Sequence, residues 1–544
     1  MLEAQQLLQD RQLLPAASIL RDIDDSKLSA TERTQVVLIE TELHYLAGDT
    51  ALALATLQRG LLLPEPEDPG LQQLLARWQL RLLLATQGPL AAAASADGML
   101  LSSEDEGWRQ QLEVFIWDNL QRTPQDQLDA ARRVSSSQNW RGWLELALVA
   151  AQVMDSPDVQ IAELDFWRQR HPQHSANSNL PGGLGVLGSS ATSLPTRIAL
   201  LLPLGGGQQE RGRALLEGYL AAQFEARQRG WPEQELMVMD SSEFEDINAA
   251  YATAVSAGAE LVIGPMAPED LLLWQPRAEQ TVPLMTLTWL PQPTVPEPIP
   301  VQLGLASVDE ARQLARIAYA RGARKALLIR PQGEWGQRMS DALVQQWTDL
   351  EGEIQAIASF SGQADYSSEL KAALNLADSE SRARRINQLM AESAEFSPRR
   401  RKDLDIVFLL SETPQDARSI KPLIAFHYAA DLPVYSTSHI FSGRRDAQRD
   451  RDLNGIRLLE IPWLLDPTGR LQTALAKGGG LDLQSRMHAL GADAFMLNWR
   501  LQQFAEAPGN RIRGNTGLLN MDAMGRVHRE LVPAQIRSGV PQAL

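Results

Sequence analysis

The sequence predicts a multidomain protein in which an all-α helical solenoid precedes a two-lobed α/β domain with parallel sheets. Three observations lead to this fold class. Apolar residues recur at helical spacing up to about residue 175. A segment rich in Ser, Gly, Asn and Pro follows. Beyond it, short apolar runs of β-forming residues alternate with helical segments, which is typical of parallel sheets covered by helices on both faces.

Residues 1–175 are predicted to form stacked helical hairpins. The clearest unit spans residues 30–57, with one apolar stripe before the turn at Gly48 and another after it. This turn, with small residues beyond it, resembles the tetratricopeptide turn, in which glycine permits tight packing of successive helices. A single hairpin cannot bury its apolar face, so we expect a tetratricopeptide-like solenoid. Residues 176–196 are interpreted as a linker.

Residues 197–544 are predicted to form two lobes. We expect lobe one to comprise about residues 197–303 and 464–544, and lobe two about residues 307–460, with a helix at 487–504 packing back on lobe one. The predicted strands are Ile198–Leu202, Leu236–Met239, Leu261–Ile263, Pro283–Leu287, Ala326–Ile329, Ile354–Phe360, Ile406–Leu410 and Val434–Ser436. The predicted helices between them include Arg213–Arg229, Val308–Arg321, Arg338–Leu350 and Ala417–Ala430.

Composition narrows the possible functions. The net charge of −16 argues against a general nucleic-acid binder, because a duplex would be repelled at long range. The absence of cysteine excludes disulfides and thiolate chemistry. No apolar stretch of about 18 residues could span a bilayer. The first residues lack a signal-peptide pattern, which leaves a cytoplasmic protein or a mature chain open.

No catalytic, cofactor or metal site is predicted. Ser368 and Lys371 match the Ser-x-x-Lys of penicillin-recognising enzymes, but the accompanying motifs are missing. Glu210 stands where a dinucleotide-binding loop requires its third glycine. His171 and His174 have no carboxylate framework around them in the sequence. We therefore expect a protein without a cofactor and without enzymatic activity.

Nine residues are predicted to line a cleft between the lobes, because they lie at or just beyond the carboxyl ends of predicted strands. Ligands of open parallel sheets bind at that edge. The alternative is an empty cleft that serves only as a hinge. The nine candidates are Ser241, Ser242, Gly264, Pro265, Thr288 and Trp289 in lobe one, and Arg330, Ser411 and Thr413 in lobe two.

A basic cluster forms a second candidate site. Arg399, Arg400, Arg401 and Lys402 are the densest positive run in this acidic chain. One interpretation is a solvated loop or helix end before a strand. The other is a patch for an acidic partner, since guanidinium groups bind carboxylates through paired hydrogen bonds.

Three segments of the second half resemble type I periplasmic binding proteins. They are 199–204 with its Gly-rich turn, 258–265, and the closing 514–527. Together with the helical half, the chain resembles the LpoA family of outer-membrane lipoprotein activators of penicillin-binding proteins. The segments that carry this resemblance are 381–390, 396–410, 419–426 and 489–495. The lipid-modified cysteine of that family is not among these residues.

The resemblance implies a non-enzymatic regulator of peptidoglycan synthesis that binds penicillin-binding protein 1A, a class A synthase, and stimulates its transpeptidase activity. It further implies a periplasmic location, a lipid anchor in the outer membrane upstream of this chain, and peptidoglycan as a second contact. No nucleic-acid partner is expected. The alternative is a receptor for an amino-acid-like small molecule, for which the sequence offers Arg330 and the serines but no clear acidic partner.

Overall fold

The predicted fold class is confirmed by a computed structural model, in which helices precede a two-lobed α/β part. Residues 186–193 of the predicted linker lie outside the described residues. The structure describes residues 1–10, 12–24, 27–64, 66, 68–152, 157–185, 194–274, 282–290, 299–362, 365–389, 399–466, 468–476, 485–506 and 511–544.

Short polar residues begin several helices of the first part. Ser29 and Glu32 form a capping box, in which each side chain accepts a hydrogen bond from the other residue's backbone N–H. In the described part of the chain, no helix is both long and apolar enough to cross a membrane. The helices are α1 (Leu2–Gln9), α2 (Leu13–Arg21), α3 (Ala30–Leu46), α4 (Thr50–Gly60), α5 (Pro69–Gln87), α6 (Pro89–Ser102), α7 (Glu106–Arg122), α8 (Gln125–Val134), α9 (Gln138–Ala151), α10 (Pro157–Arg170) and α11 (Ser175–Ser178).

The second part alternates strands with helices. Its strands are β1 (Arg197–Leu202), β2 (Glu235–Asp240), β3 (Leu261–Ile263), β4 (Leu284–Thr286), β5 (Val301–Leu303), β6 (Lys325–Pro331), β7 (Glu353–Phe360), β8 (Ile406–Leu409), β9 (Val434–Ser436), β10 (Arg457–Glu460), β11 (Arg511–Arg513), β12 (Leu518–Met521), β13 (Arg526–Glu530), β14 (Val532–Arg537) and β15 (Val540–Ala543). Its helices are α12 (Gln209–Gln228), α13 (Ile247–Ser256), α14 (Pro268–Leu272), α15 (Ser307–Ala320), α16 (Glu334–Asp349), α17 (Tyr366–Ala373), α18 (Leu376–Leu389), α19 (Pro414–Ile424), α20 (Pro462–Leu465), α21 (Arg470–Ala476), α22 (Ser485–Asn498) and α23 (Leu501–Glu506).

Each lobe is built on one sheet. Sheet one has the order β11-β12-β13-β5-β4-β3-β1-β2, and sheet two has the order β15-β14-β10-β9-β8-β6-β7. Within the set β1–β5, all neighbouring strands are parallel, and the same holds within the set β6–β10. The predicted bounds of β3 and β9 are confirmed to the residue.

The end of the chain differs from the expected division. Strands β14 and β15 belong to sheet two, not to lobe one, because the chain crosses between the lobes at Leu531. The backbone of Leu531 exchanges two hydrogen bonds with the side chain of Gln313 in α15. Beyond this crossing, β14 pairs antiparallel with β10 and buries Ala534 and Ile536.

The helix expected at 487–504 is found as α22 and α23, which are separated by a turn. Helix α22 packs so closely on α12 that the backbones of the two helices approach each other. This is the packing expected of a helix that returns to lobe one. A Cβ atom on Gly218 would lie 2.0 Å from the carbonyl oxygen of His488, and one on Gly491 would lie 2.0 Å from that of Leu215. Only glycine permits so close an approach of two helices.

The largest hydrophobic core is shared by all parts of the molecule. Leu38 and Leu57 of the helical part belong to the same buried cluster as Leu200 of β1 and Leu328 of β6. The helical part is therefore packed on the two-lobed part rather than separated from it by solvent.

Candidate functional site

In lobe one, the first cleft candidates lie at the carboxyl ends of β2 and β3. The Asp240 carboxylate caps the local turn, because it accepts hydrogen bonds from the backbone N–H of Ser242 at 3.0 Å and from the Ser242 hydroxyl at 2.8 Å. Ser241 is half-buried beside it. Gly264 has a φ of +127°, and a Cβ atom there would lie 2.2 Å from the carbonyl oxygen of Leu201. The carbonyl of Pro265, the next residue, accepts from the backbone N–H of Leu287 at 2.9 Å.

Thr288 and Trp289 lie just beyond β4. The carbonyl of Thr288 accepts a hydrogen bond from the Thr286 hydroxyl at 2.7 Å. The ring of Trp289 meets the His528 ring edge-on at 5.0 Å between centroids, and the Arg526 guanidinium lies 5.6 Å from the Trp289 ring. Trp289 therefore packs against β13, the strand that leads into the interlobe crossing.

The lobe-two candidates are also engaged in local contacts. The Ser411 hydroxyl donates to the carbonyl of Thr413 at 2.6 Å. Thr413 caps α19, because its hydroxyl donates to the Asp416 carboxylate at 2.7 Å and accepts from the Asp416 N–H at 3.3 Å. Arg330 differs: its buried Nε has no hydrogen-bond partner among the described residues.

Within the described ranges, no hydrogen bond or ion pair joins a lobe-one candidate to a lobe-two candidate. The lobes are instead joined by charged groups near the crossing segments. Arg486 at the start of α22 donates to the carboxylate of Glu460 at 3.2 Å, and to the carbonyl of Ser438 at 3.0 Å. Arg529 lies 3.6 Å from Glu310. Glu460, Arg529 and Glu310 are all buried.

His528 forms a third tie between the lobes. Its Nδ1 lies 2.8 Å from the Asp309 carboxylate of lobe two, and its Nε2 lies 3.1 Å from the Asp522 carboxylate of lobe one. The Asp309 carboxylate raises the pKa of His528 above its usual value. Sequence reasoning missed these ties, since nothing in local spacing indicates which charges meet across the lobes.

The helical part contacts lobe one through α7. Arg122 lies 2.8 Å from Glu530 at the end of β13. Arg513 of β11 donates to the carbonyl of Leu120 at 2.9 Å, and burial lowers the pKa of its guanidinium to about 10. A cavity of about 580 Å³, lined by Trp117 among others, opens at this junction.

The helical part also contacts lobe two, through two glycine turns placed back to back. Gly48 follows α3 and Gly322 follows α15, with φ of +86° and +95°. A Cβ atom on Gly322 would lie 2.1 Å from the Gly48 carbonyl oxygen. The Arg324 guanidinium donates to the carbonyl of Tyr45 at 2.5 Å. Gly48 thus permits close packing on lobe two, in addition to the helix turn expected from the sequence.

The basic cluster divides into buried and exposed members. Arg400 is buried, and Arg401 is paired with Asp403 at 2.6 Å. The hydrogen bond from Arg401 lowers the pKa of Asp403 to about 2. Arg399 and Lys402 are exposed. The four residues therefore do not act as one solvated patch.

The sequence motifs with enzyme-like spacing do not assemble. The Ser368 hydroxyl donates to a backbone carbonyl at 3.0 Å, and the Lys371 ammonium pairs with Glu380 at 2.7 Å. His171 lies 2.9 Å from Glu145, and burial lowers the pKa of His174 to about 4. Among the described residues, no group of three or more His, Asp or Glu is arranged to hold a metal ion.

Comparisons with known proteins place these features in context. A family described as LppC putative lipoprotein matches residues 1–539. A Photobacterium profundum protein named penicillin-binding protein activator LpoA is 26% identical over 538 residues, covering 96% of this chain and 85% of that protein. A protein of the same name from Vibrio antiquarius is 26% identical over 446 residues, covering 80% of this chain and 72% of that protein.

Two solved structures share the fold. The crystal structure of full-length LpoA from Haemophilus influenzae matches with a TM-score of 0.52 and 21% identity, over 99% of this chain and 93% of that one. The C-domain of the Haemophilus influenzae protein, described as a regulator of PBP1A, matches with a TM-score of 0.52 and 23% identity, over 64% of this chain and 99% of that one.

Proposed function

The chain belongs to the LppC putative lipoprotein family, and from this premise we propose that it is a non-enzymatic activator of a class A penicillin-binding protein. The observation that carries the proposal is the match, over 96% of this chain in one case and 80% in the other, to relatives named penicillin-binding protein activator. We further propose that the synthase is penicillin-binding protein 1A and that its transpeptidase activity is stimulated. Binding would favour the active conformations of the synthase.

The contacts that hold the two lobes in one arrangement support a role in docking another protein. The helical part contacts lobe one through Arg122 and Arg513, and contacts lobe two through Arg324. Closure of the lobes on a solute would have to break one of these sets of contacts or the buried ties between the lobes. A scaffold held in one arrangement suits recognition of another macromolecule, because little order is lost on binding.

The location is part of the proposal. Membership of a lipoprotein family supports a lipid anchor upstream of this chain, in the outer membrane, with the protein in the periplasm. Several acyl chains on one residue give stable attachment where a single chain does not. The helical part would then act as a spacer and as a second contact surface toward peptidoglycan.

A receptor for an amino-acid-like solute is the second candidate. It is favoured by Arg330, whose buried Nε lacks a partner among the described residues at the cleft edge. Against it, hydroxyls of Ser242, Ser411 and Thr413 are engaged within their own turns. That the nine cleft candidates line a ligand site stays a prediction.

The proposal is tested by reconstitution with the purified cognate class A synthase and lipid II. Cross-linked product is measured with and without this chain, and binding is measured by biolayer interferometry. We expect binding and a rise in the cross-linked fraction, and the rise should vanish when a β-lactam blocks the transpeptidase. No binding, or binding without any change in cross-linking, would contradict the proposed activation. A thermal shift with free amino acids in place of the synthase would favour the receptor.

A further inference from the structure

A strained turn follows α19 in lobe two. The helix ends at Ile424, and an irregular turn, Ala425–Ala429, follows, in which His427 and Tyr428 have non-helical backbone angles. Within it, Tyr428 has a φ of +62°, in the left-handed region that side chains other than glycine rarely adopt. Backbone strain of this kind, at a residue other than glycine, is found frequently at functional sites.

This turn exposes two aromatic side chains. Phe426 is 72% exposed and Tyr428 is 52% exposed, whereas His427 between them is buried. The Nε2 atom of His427 lies 2.9 Å from the Ser367 hydroxyl of α17, and this hydrogen bond holds the turn against α17. Four Phe, Trp or Tyr side chains are exposed in the described part of the chain, and two of the four lie in this turn. Exposed aromatic side chains are typical anchors of protein interfaces.

Arg400 holds the turn in its strained form. Its buried guanidinium donates through Nε to the carbonyl of Tyr428 at 3.0 Å. The other two nitrogens donate to the Asp431 carboxylate at 2.6 Å and to the carbonyl of Arg401 at 2.7 Å. All three nitrogens face acceptors, so Arg400 is a positioning residue for the aromatic pair and not a free cation.

Among the described residues, the unpaired charges beside the turn are positive. Arg399 and Lys402 are exposed, and neither forms an ion pair with any other residue that the structure describes. Asp431, the acidic group of the turn, is already paired with Arg400. The chain as a whole carries −16, so this local surplus is opposite in sign to most of the surface. It complements a partner segment that combines carboxylates with apolar side chains.

We propose that Phe426 and Tyr428, flanked by Arg399 and Lys402, form the surface that docks the synthase, and that an acidic, apolar segment of that protein occupies it. The inference rests on the proposed function and names the binding surface for it. The turn precedes β9, so it lies at the edge of sheet two opposite the cleft. Docking here needs no movement of the lobes.

The first test compares Phe426→Ala/Tyr428→Ala with Phe224→Ala. Phe224 is the matched control, since it is 63% exposed but lies on α12 of lobe one. We expect the Kd for the purified synthase to rise at least about tenfold in the double variant and to change less than about twofold in the control. Lys402→Glu should weaken binding and flatten its dependence on salt.

The second test separates binding from folding. Tyr428→Gly removes the left-handed strain together with the ring, because glycine adopts positive φ freely. We expect a higher melting temperature and a higher Kd in the same variant. If Tyr428 served only the fold, its substitution would not raise the melting temperature and weaken binding in the same variant. If the Tyr428→Gly variant binds the synthase as tightly as the wild type does, the Tyr428 ring is not part of the interface.

The outcomes distinguish the surface from the activator function. If the wild type binds the synthase and the double variant binds equally well, the docking surface is overturned while the activator function stands. If the wild type does not bind the synthase at all, both are overturned. If the double variant keeps the synthase but loses purified peptidoglycan in a sedimentation assay, the surface belongs to the wall polymer and the proposal is overturned.

Discussion

Replacing Gly322 by alanine tests how the helical part is attached to lobe two. A Cβ atom would lie 2.1 Å from the Gly48 carbonyl oxygen, so the two turns must separate by about 1 Å to reach ordinary contact. This movement would break the hydrogen bond from Arg324 to Tyr45, and a hydrogen bond to a charged group contributes about 1.5–3 kcal/mol. The left-handed φ of +95° adds about 1–2 kcal/mol for any residue with a Cβ atom.

Gly333→Ala is the matched control. Gly333 has a φ of +96° in the same lobe, and nothing lies within 4 Å of its added Cβ atom. The control therefore carries the backbone strain without the interdomain clash. We expect Gly322→Ala to lower the free energy of unfolding by about 2–3 kcal/mol more than Gly333→Ala.

Urea unfolding followed by tryptophan fluorescence measures the difference, and small-angle X-ray scattering reports whether the helical part has moved. The comparison uses the first unfolding transition, since a multidomain chain need not unfold in one step. Equal midpoints for the two variants, with unchanged scattering, would refute the close approach of the two glycine turns.

Two further predictions concern the ties between the lobes. The pKa of His528 is raised by Asp309, so its contribution to stability is complete below the ordinary value of 6.5 and is lost as pH rises through the folded value. The His528→Gln variant should therefore be less stable than the wild type at low pH, and the difference in melting temperature should shrink as pH rises. A difference that does not depend on pH in thermal melts would contradict the charged pairing. Arg486→Met should destabilise by about 3–5 kcal/mol, because Glu460 would stay buried and unpaired. Adding Glu460→Leu should recover most of that loss in a double-mutant cycle, and strictly additive losses would contradict a direct pair.

The alternation of strands and helices was predictable because each parallel strand is a short apolar run between turn residues. The runs at Leu261–Ile263 and Val434–Ser436 gave bounds that the structure confirms. The prediction that all of residues 464–544 belong to lobe one is wrong for the last two strands, since a run such as 532–537 carries no mark of the sheet that it joins. Sheet membership there depends on the crossing at Leu531 and its hydrogen bonds to Gln313.

The candidate sites were harder to predict, because burial of a single polar side chain depends on distant neighbours. Arg400 stands among four cations that look alike in sequence, yet it alone of the four is buried. Its acceptors include the carbonyl of Tyr428, which is available only because the predicted helix ends early, at Ile424, and an irregular turn follows. Pro422 inside that predicted helix was a signal of irregularity, but periodicity cannot give the form that the irregularity takes.

The repeated crossing of the chain between the lobes has a consequence for biogenesis. Sheet one is incomplete until β13 has been made, and sheet two is incomplete until β15 has been made. Neither lobe can therefore finish folding while the ribosome is still adding the closing residues, and both must await nearly the whole nascent chain. Contacts so distant in sequence favour slow assembly after synthesis, and keeping the unfinished sheets from aggregating becomes a task for chaperones.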